Sequence, residues 1–145
     1  MAYSGRFSPK NPKKYHGDPT NIIFRSLWEL RVMKYLDENP NILEWSSEEI
    51  AIPYISPVDN RRHRYFPDFV IKTMQPDGSA KVMMLEVKPK HQTQEPKVQK
   101  KKTRKYLTEV MTWGVNQAKW KAAEEYCLDK GWSFKLITEA ELGIK

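Results

Sequence analysis

A single cysteine, Cys127, stands in a chain of 145 residues. It excludes an internal disulfide and any zinc site built from several cysteines. No apolar run approaches the roughly 18 residues that a membrane span needs, so no membrane partner is expected. The opening MAYSGRFSPKNPKKYHGDP lacks the apolar stretch of a secretory signal, and none is expected there. Histidine is scarce as well: His63 and His91 have no partner at ligand spacing, so a histidine-based metal site is not expected. What is present fits one folded domain with a real core. Apolar residues make up 39% and aromatics 12%, too many for a disordered chain. Lys plus Arg exceeds Asp plus Glu by 25 to 18, and the resulting charge of +7 makes a polyanion a reasonable partner. These features point to a soluble intracellular domain.

Residues 1–21 are read as a basic N-terminal arm, followed by the main domain at 22–145. Pro9, Pro12, Pro19, Gly5 and Gly17 interrupt regular structure there, and Arg6, Lys10, Lys13 and Lys14 make it basic. It is either a flexible tail or an arm that follows phosphates. Residues 22–38 are expected to form a helix that Asn39-Pro40 stops. On its wheel Glu29 lies between Leu36 and Met33, an apolar sector where a carboxylate needs a partner. Arg25, one turn earlier, is the preferred one. Strands are expected at 48–55 (with Pro53 marking an edge or bulge), at 64–73 and at 81–88. The turn signal Gln75-Pro76-Asp77-Gly78 joins the last two as a hairpin. Residues 89–102 read as a loop and 103–130 as helical, with a break at Gly114 and a new N-cap at Asn116 as one option. Trp120, Ala123 and Cys127 share a face, and Lys130-Gly131 is a helix stop. A last strand at 132–138 and a short helix follow. The sum is a mixed α/β domain, with a central sheet flanked by helices.

The chemistry concentrates in the hairpin. One strand carries Pro67-Asp68 and the other Glu86-Val87-Lys88. Glu86 and Lys88 point to the same face because side chains alternate with period two, and the hairpin can bring Asp68 alongside. Two carboxylates at close range repel unless a divalent cation lies between them. Hard oxygen ligands in small number suit Mg²⁺, usually held with water and substrate phosphate. A lysine beside such a site can hold or deprotonate an attacking water. The plain alternative is a salt bridge of Lys88 with Glu86 or Asp68 on an exposed sheet face. Glu29, the sheet-edge position of Lys88 before Pro89, and the basic loop that follows all weigh against it.

Pro67-Asp68, Glu86-Val87-Lys88 and the order of elements resemble the PD-(D/E)XK nuclease superfamily, over residues 22–138. The resemblance implies a restriction-endonuclease-like fold with a helix-strand-strand-strand-helix-strand core. Tyr65-Phe66-Pro67-Asp68-Phe69 looks like the transposon-end endonucleases, although their pattern places Gln where this chain has Glu86. A longer likeness runs from residue 2 to about 138. AYSGRFSPKNPKKYHGDP, FRSLWE, RRHRYFPDF, LEVKPK and VNQAKWKAA are similar to the head completion nucleases of T-even-like tailed phages. That family implies a divalent-metal DNA endonuclease, with exonuclease activity also compatible, acting on filled heads before tails join. It implies Asp68 and Glu86 as metal ligands with the Val87 backbone carbonyl. Lys88 would orient water, and Glu29 would assist the metal directly or through water. The expected ion is Mg²⁺, with Mn²⁺ able to substitute. Double-stranded DNA is the expected substrate and phage portal or neck proteins the expected partners. The expected location is the cytoplasm of the infected bacterial host, or the phage head itself. Two other readings compete: a non-catalytic DNA-binding head–neck protein, and a transposon-end or junction-resolving enzyme of the same superfamily.

Candidate DNA contacts lie around this core. Lys97–Lys105 holds six basic residues in nine, among them Lys100, Lys101, Lys102 and Arg104. The run is either a solvated loop and helix start or a phosphate-binding segment. Arg62 and Arg64, before the Asp68 strand, form a basic turn that grips DNA or merely keeps a hairpin end soluble. Lys90 and His91 follow Lys88 and either touch the cleaved strand or lie solvated in the loop. Lys119, with Gln117, can reach phosphate from the second helix or lie solvated on it. Trp120, Trp132 and Cys127 are expected in the core.

Overall fold

The computed structural model describes residues 4–143. The first three residues of the expected arm and the last two of the expected domain lie outside the described residues. The elements are β1 (Gly5–Phe7), β2 (Ile22–Phe24), α1 (Leu27–Glu38), β3 (Ile42–Ser47), β4 (Ile52–Ile55), β5 (Arg62–Tyr65), β6 (Phe69–Met74), β7 (Ala80–Val87), α2 (Arg104–Lys130), β8 (Ser133–Ile137) and α3 (Glu139–Leu142). Short 3-10 turns occupy Pro12–Lys14 and Lys90–Thr93.

The main sheet has the order β3-β6-β7-β8. β6 pairs antiparallel with both β3 and β7, whereas β7 and β8 run parallel. A parallel neighbour requires a crossover, and α2 supplies it between β7 and β8. Alternation along the strands divides the core. Phe69, Ile71 and Leu85 join Val32, Met33, Leu36 and Trp45 under α1. Met84, with Val70 packed against it, faces Trp120, Ala123 and Cys127 of α2. Helices thus cover both faces of a mixed sheet, the α/β architecture expected.

Several boundaries differ from the sequence expectation for identifiable reasons. The first helix starts at Leu27, not at residue 22. Ser26 accepts the Glu29 backbone N–H at 3.1 Å as N-cap, and Ile22–Phe24 pairs with Gly5–Phe7. The opening segment is therefore no detached arm. Phe7 and Tyr15 are buried in the core. Asp37, itself buried, accepts the backbone N–H groups of Lys10 and Asn11 at 2.8 and 3.0 Å. The Lys14 ammonium donates to the Asp37 and Asn39 carbonyls at the C-terminal end of α1. Positive charge there complements the negative end of the helix dipole.

The expected strand at 48–55 is shorter and belongs elsewhere: Ile52–Ile55 pairs only with β5, in a separate two-stranded ribbon. The main-sheet strand in that region is β3. The strand expected at 64–73 divides into β5 and β6 around Phe66-Pro67-Asp68, where proline offers no N–H to a ladder.

Gly114 does not break α2, which runs unbroken for 27 residues from its Thr103 N-cap to Gly131. Gly131 adopts φ 75°, the left-handed C-cap conformation that favours glycine. A Cβ at Gly114 would meet only Pro57, at an ordinary 3.7 Å. Gly114→Ala is accordingly expected to stabilise the protein by about 1 kcal/mol, the helix-interior difference between these residues. Urea denaturation checks this, with an unchanged or lower midpoint as the contrary result.

Candidate active site

The β6–β7 ladder pairs Phe69 with Leu85. One step further along the same register, Asp68 comes opposite Glu86. The backbone locks the two together: the Asp68 N–H faces Glu86 Oε2 at 3.4 Å, and the Val87 N–H donates to Asp68 Oδ2 at 2.8 Å. Val87 therefore lies with its backbone against the Asp68 carboxylate. Lys88 places Nζ 3.8 Å from Glu86 Oε1 and remains partly exposed. Its own N–H donates to the Ile137 carbonyl, which pins the strand end to β8. Asp68, Glu86, Val87 and Lys88 are thus brought together. The Lys88–Glu86 pair is not an exposed surface bridge, because Glu86 is only 5% accessible.

Glu29 reaches the same pocket from the first turn of α1. Ligand oxygens of Glu29, Glu48 and Asp68 all lie within 4.8 Å of one another. The Ser26 hydroxyl donates to Glu29 Oε2 at 3.3 Å, while the buried Oε1 has no hydrogen-bond partner among the described residues. Arg25 does not pair with Glu29 as expected. Its guanidinium forks onto Glu48, with Nε 3.0 Å from Oε1 and Nη2 3.1 Å from Oε2.

Sequence reasoning missed Glu48. It follows β3 in a left-handed conformation, φ 53°, and its N–H donates to the Asp68 carbonyl. No motif marks such a position; only the tertiary contact with Asp68 does.

The electrostatics follow from crowding carboxylates away from water. Burial, then the neighbouring Glu86 and Glu29 charges, hold the Asp68 carboxyl well above the usual carboxylate range; the Val87 N–H and Lys88 oppose this in part. Burial raises Glu86 also, against the opposing effects of the Tyr65 hydroxyl and Lys88. Burial is the main cause of the rise at Glu29. A group of acids that resists ionisation in the pocket, one of them with an orphaned oxygen, is what a divalent cation would relieve. The donor set, all carboxylate oxygens, fits Mg²⁺ or Mn²⁺.

Two further side chains border the pocket. Tyr65 is buried and its hydroxyl donates to Glu86 Oε2. Lys119 projects from α2 over the Tyr65 and Tyr54 rings, 5.6 and 5.9 Å from their centroids. Its charge is near enough to Glu86 to oppose the rise that burial causes there.

The remaining DNA-contact candidates lie outside the carboxylate pocket and are exposed. Arg62 and Arg64 sit on β5, with Arg64 5.7 Å from the Phe66 ring centroid. Between them His63 pairs with Asp59 at 2.8 Å. Lys90 follows Lys88 in a 3-10 turn, and its backbone N–H donates to Glu139. Lys100, Lys101 and Lys102 lead into Arg104 at the start of α2; the Lys102 ammonium stands 4.9 Å from the Tyr106 ring centroid.

Residues 39–139 match the family described as TnsA-like endonuclease N terminal, a span that holds Asp68, Glu86 and Lys88. The head completion nuclease of Enterobacteria phage T4 is 41% identical to this chain over 143 residues, covering 96% of it and 93% of the phage T4 protein. The chain belongs to the head completion nuclease family, within the TnsA-like endonucleases. It carries Glu86, not Gln, in the motif that ends at Lys88, so its hairpin presents two acidic side chains to the pocket.

The position of Glu29 yields an expected result of its own. Glu29→Gln keeps the size and the capping contact of the side chain but removes the charge. Cleavage is expected to fall at least about tenfold while thermal stability stays equal or rises, because a neutral amide carries no penalty for burying charge. Cleavage at the parental rate would make Glu29 a helix-capping residue only.

Proposed function

We propose that this chain is a divalent-metal-dependent DNA nuclease that hydrolyses phosphodiester bonds, and that it acts in phage head completion and head–tail joining. The observation that carries the chemistry is the apposition of the half-buried Asp68 and the buried Glu86, with the partly exposed Lys88 beside them and Glu29 entering from α1. In this reading Asp68 and Glu86 hold Mg²⁺ with the Val87 carbonyl, and Glu29 assists directly or through water. Mn²⁺ can take the same ligands. When bound, such an ion supplies charge neutralisation at the scissile phosphate and acidifies coordinated water.

The protein's own groups then have separable tasks. Lys88 holds and positions the attacking water by its ammonium, at the end of the interior strand β7 and not at the sheet edge that its place before Pro89 suggests. The Val87 N–H fixes the Asp68 carboxylate through Oδ2, leaving Oδ1 without a partner among the described residues. Arg25 holds Glu48 beside the same pocket. Lys119 borders the pocket on the α2 side and offers a cation to a substrate phosphate.

Double-stranded DNA is the substrate in this reading, gripped by Arg62, Arg64, Lys90, Lys100, Lys101, Lys102 and Arg104. All seven are exposed, as phosphate contacts must be. Portal or neck proteins are the partners it would meet on a filled head, in the cytoplasm of the infected host. The name of the phage T4 relative supports the assembly role. Incubation of the purified protein with supercoiled plasmid tests the chemistry. Nicking or linearisation with Mg²⁺ and none with EDTA is the expected pair of results; intact plasmid with Mg²⁺ contradicts it.

The basic run gives a separate expectation. Neutralising Lys100, Lys101 and Lys102 to Gln should weaken DNA binding. The slope of log affinity against log salt should shrink by up to about 0.9 for each phosphate that is no longer neutralised. Cleavage at saturating DNA should change little. Fluorescence anisotropy at several salt concentrations measures the slope, and an unchanged slope returns the run to a solvated surface.

A further inference from the structure

Tyr65 lies outside the Pro67-Asp68 and Glu86-Val87-Lys88 elements and has been given no role at the site, yet it is the only described side chain that hydrogen-bonds the Glu86 carboxylate. Its ring is buried, at 4% accessibility, under α2. It ends β5, directly before the Phe66-Pro67-Asp68 crossing into β6, so its backbone and that of Asp68 are held three residues apart by a rigid proline link. The hydroxyl donates to Oε2, the same oxygen that faces the Asp68 N–H. Oε1 is then the oxygen left toward Lys88. The Lys119 ammonium lies over the Tyr65 ring, 5.6 Å from its centroid. A cation on an aromatic face favours that ring position.

We infer that Tyr65 is the positioning residue of the site: its hydroxyl occupies Glu86 Oε2 and thereby presents Oε1 as the single oxygen available to a divalent cation. The inference rests on the metal-nuclease reading and adds a role beyond those of Asp68, Glu86, Lys88 and Glu29. A carboxylate with one oxygen tied by a phenol and a backbone amide cannot rotate, so its free oxygen is held in one place before any ion arrives. Partners of this kind, which orient a ligand without touching the ion, typically change metal affinity by about 10–100-fold when removed. Lys119 acts on the same ring from outside and ties α2, the crossover helix, to the geometry of the pocket.

Tyr65→Phe tests this because it keeps the ring and deletes only the hydroxyl. Calorimetric titration with Mn²⁺ in the absence of DNA is expected to show affinity about tenfold or more below that of the parent. The Mg²⁺ concentration for half-maximal plasmid cleavage should rise by a similar factor, while cleavage at saturating Mg²⁺ falls less. The parent offers a second readout that does not depend on the variant folding. With tyrosine labelled at the ζ-carbon, Mg²⁺ should shift the Tyr65 resonance. A Tyr65→Phe protein that binds Mn²⁺ like the parent overturns the assignment, and so does a Tyr65 resonance that Mg²⁺ leaves unmoved. A parent that binds no Mn²⁺ overturns the metal reading and the Tyr65 assignment together, whereas normal parental binding with an unaffected variant overturns the Tyr65 assignment alone.

Discussion

Lys88→Ala is expected to fold, bind divalent metal and bind DNA, yet cleave about two to four powers of ten more slowly, the scale of a missing general-base or positioning group. The ammonium is partly exposed and 3.8 Å from Glu86, so its removal leaves no cavity in the core. It also removes the positive charge that opposes the raised affinity of Asp68 and Glu86 for protons. Single-turnover cleavage under saturating Mg²⁺ and DNA isolates the chemical step. A parental rate would assign Lys88 to a structural ion pair. The same substitution separates an enzyme from a DNA-binding structural protein during assembly. If hydrolysis is what head completion needs, phage carrying Lys88→Ala should accumulate filled heads without tails. Normal infectious particles with no detectable nuclease would show that the fold alone suffices.

Asp68→Asn has the second large effect, and it appears in binding before catalysis. A neutral amide is a poor ligand for a hard cation, so metal affinity should fall by more than about tenfold and cleavage should become undetectable.

The sign of the pH effect on stability follows from linkage. Asp68, Glu86 and Glu29 have folded-state pKa values above their ordinary ones. Such groups contribute stability that is fully present below the unfolded pKa and is lost as pH rises through the folded value. The metal-free protein should therefore melt lower at about pH 8 than at about pH 5. Asp18, Asp59, Asp77 and Glu141 are shifted the other way and are all at the surface. Their contribution falls at lower pH, beneath the ordinary carboxylate range. In Asp68→Asn the difference between the two pH values should shrink, and Mg²⁺ should no longer raise the melting temperature. An equal pH dependence in both proteins would mean that Asp68 is not a strained acid of the pocket.

The parts of the fold that are legible in the chain are those where local rules and tertiary packing agree. The β6–β7 hairpin is readable because Gln75–Gly78 is a turn signal between two apolar strands, and the observed ladder follows it. The face of α2 that holds Trp120, Ala123 and Cys127 is readable from helical spacing. β3 is not. Its sequence, Ile-Leu-Glu-Trp-Ser-Ser, ends in two serines that are buried, and no alternation marks it. The prolines and glycines of the opening segment suggest an arm, whereas Phe7 and Tyr15 are core residues. Ser26 ahead of Glu29 has the Ser-x-x-Glu spacing of a capping box, a signal that places the start of α1 correctly. At the pocket, Asp68, Glu86 and Lys88 stand out because charge is rare in apolar strands. Glu48 and Tyr65 do not. One depends on a left-handed residue after a strand, and the other on a two-stranded ribbon separate from the main sheet.

In the proposed function the buried Glu86 and the half-buried Asp68 hold the divalent cation that cleavage uses. Anomalous diffraction from crystals grown with Mn²⁺ tests it most directly. The expected result is a Mn²⁺ peak bounded by the carboxylates of Asp68 and Glu86 with the Val87 carbonyl, absent from crystals of Asp68→Asn. Mn²⁺ bound only elsewhere on the protein, with Lys88 still paired to Glu86 in an ion-free pocket, would contradict it.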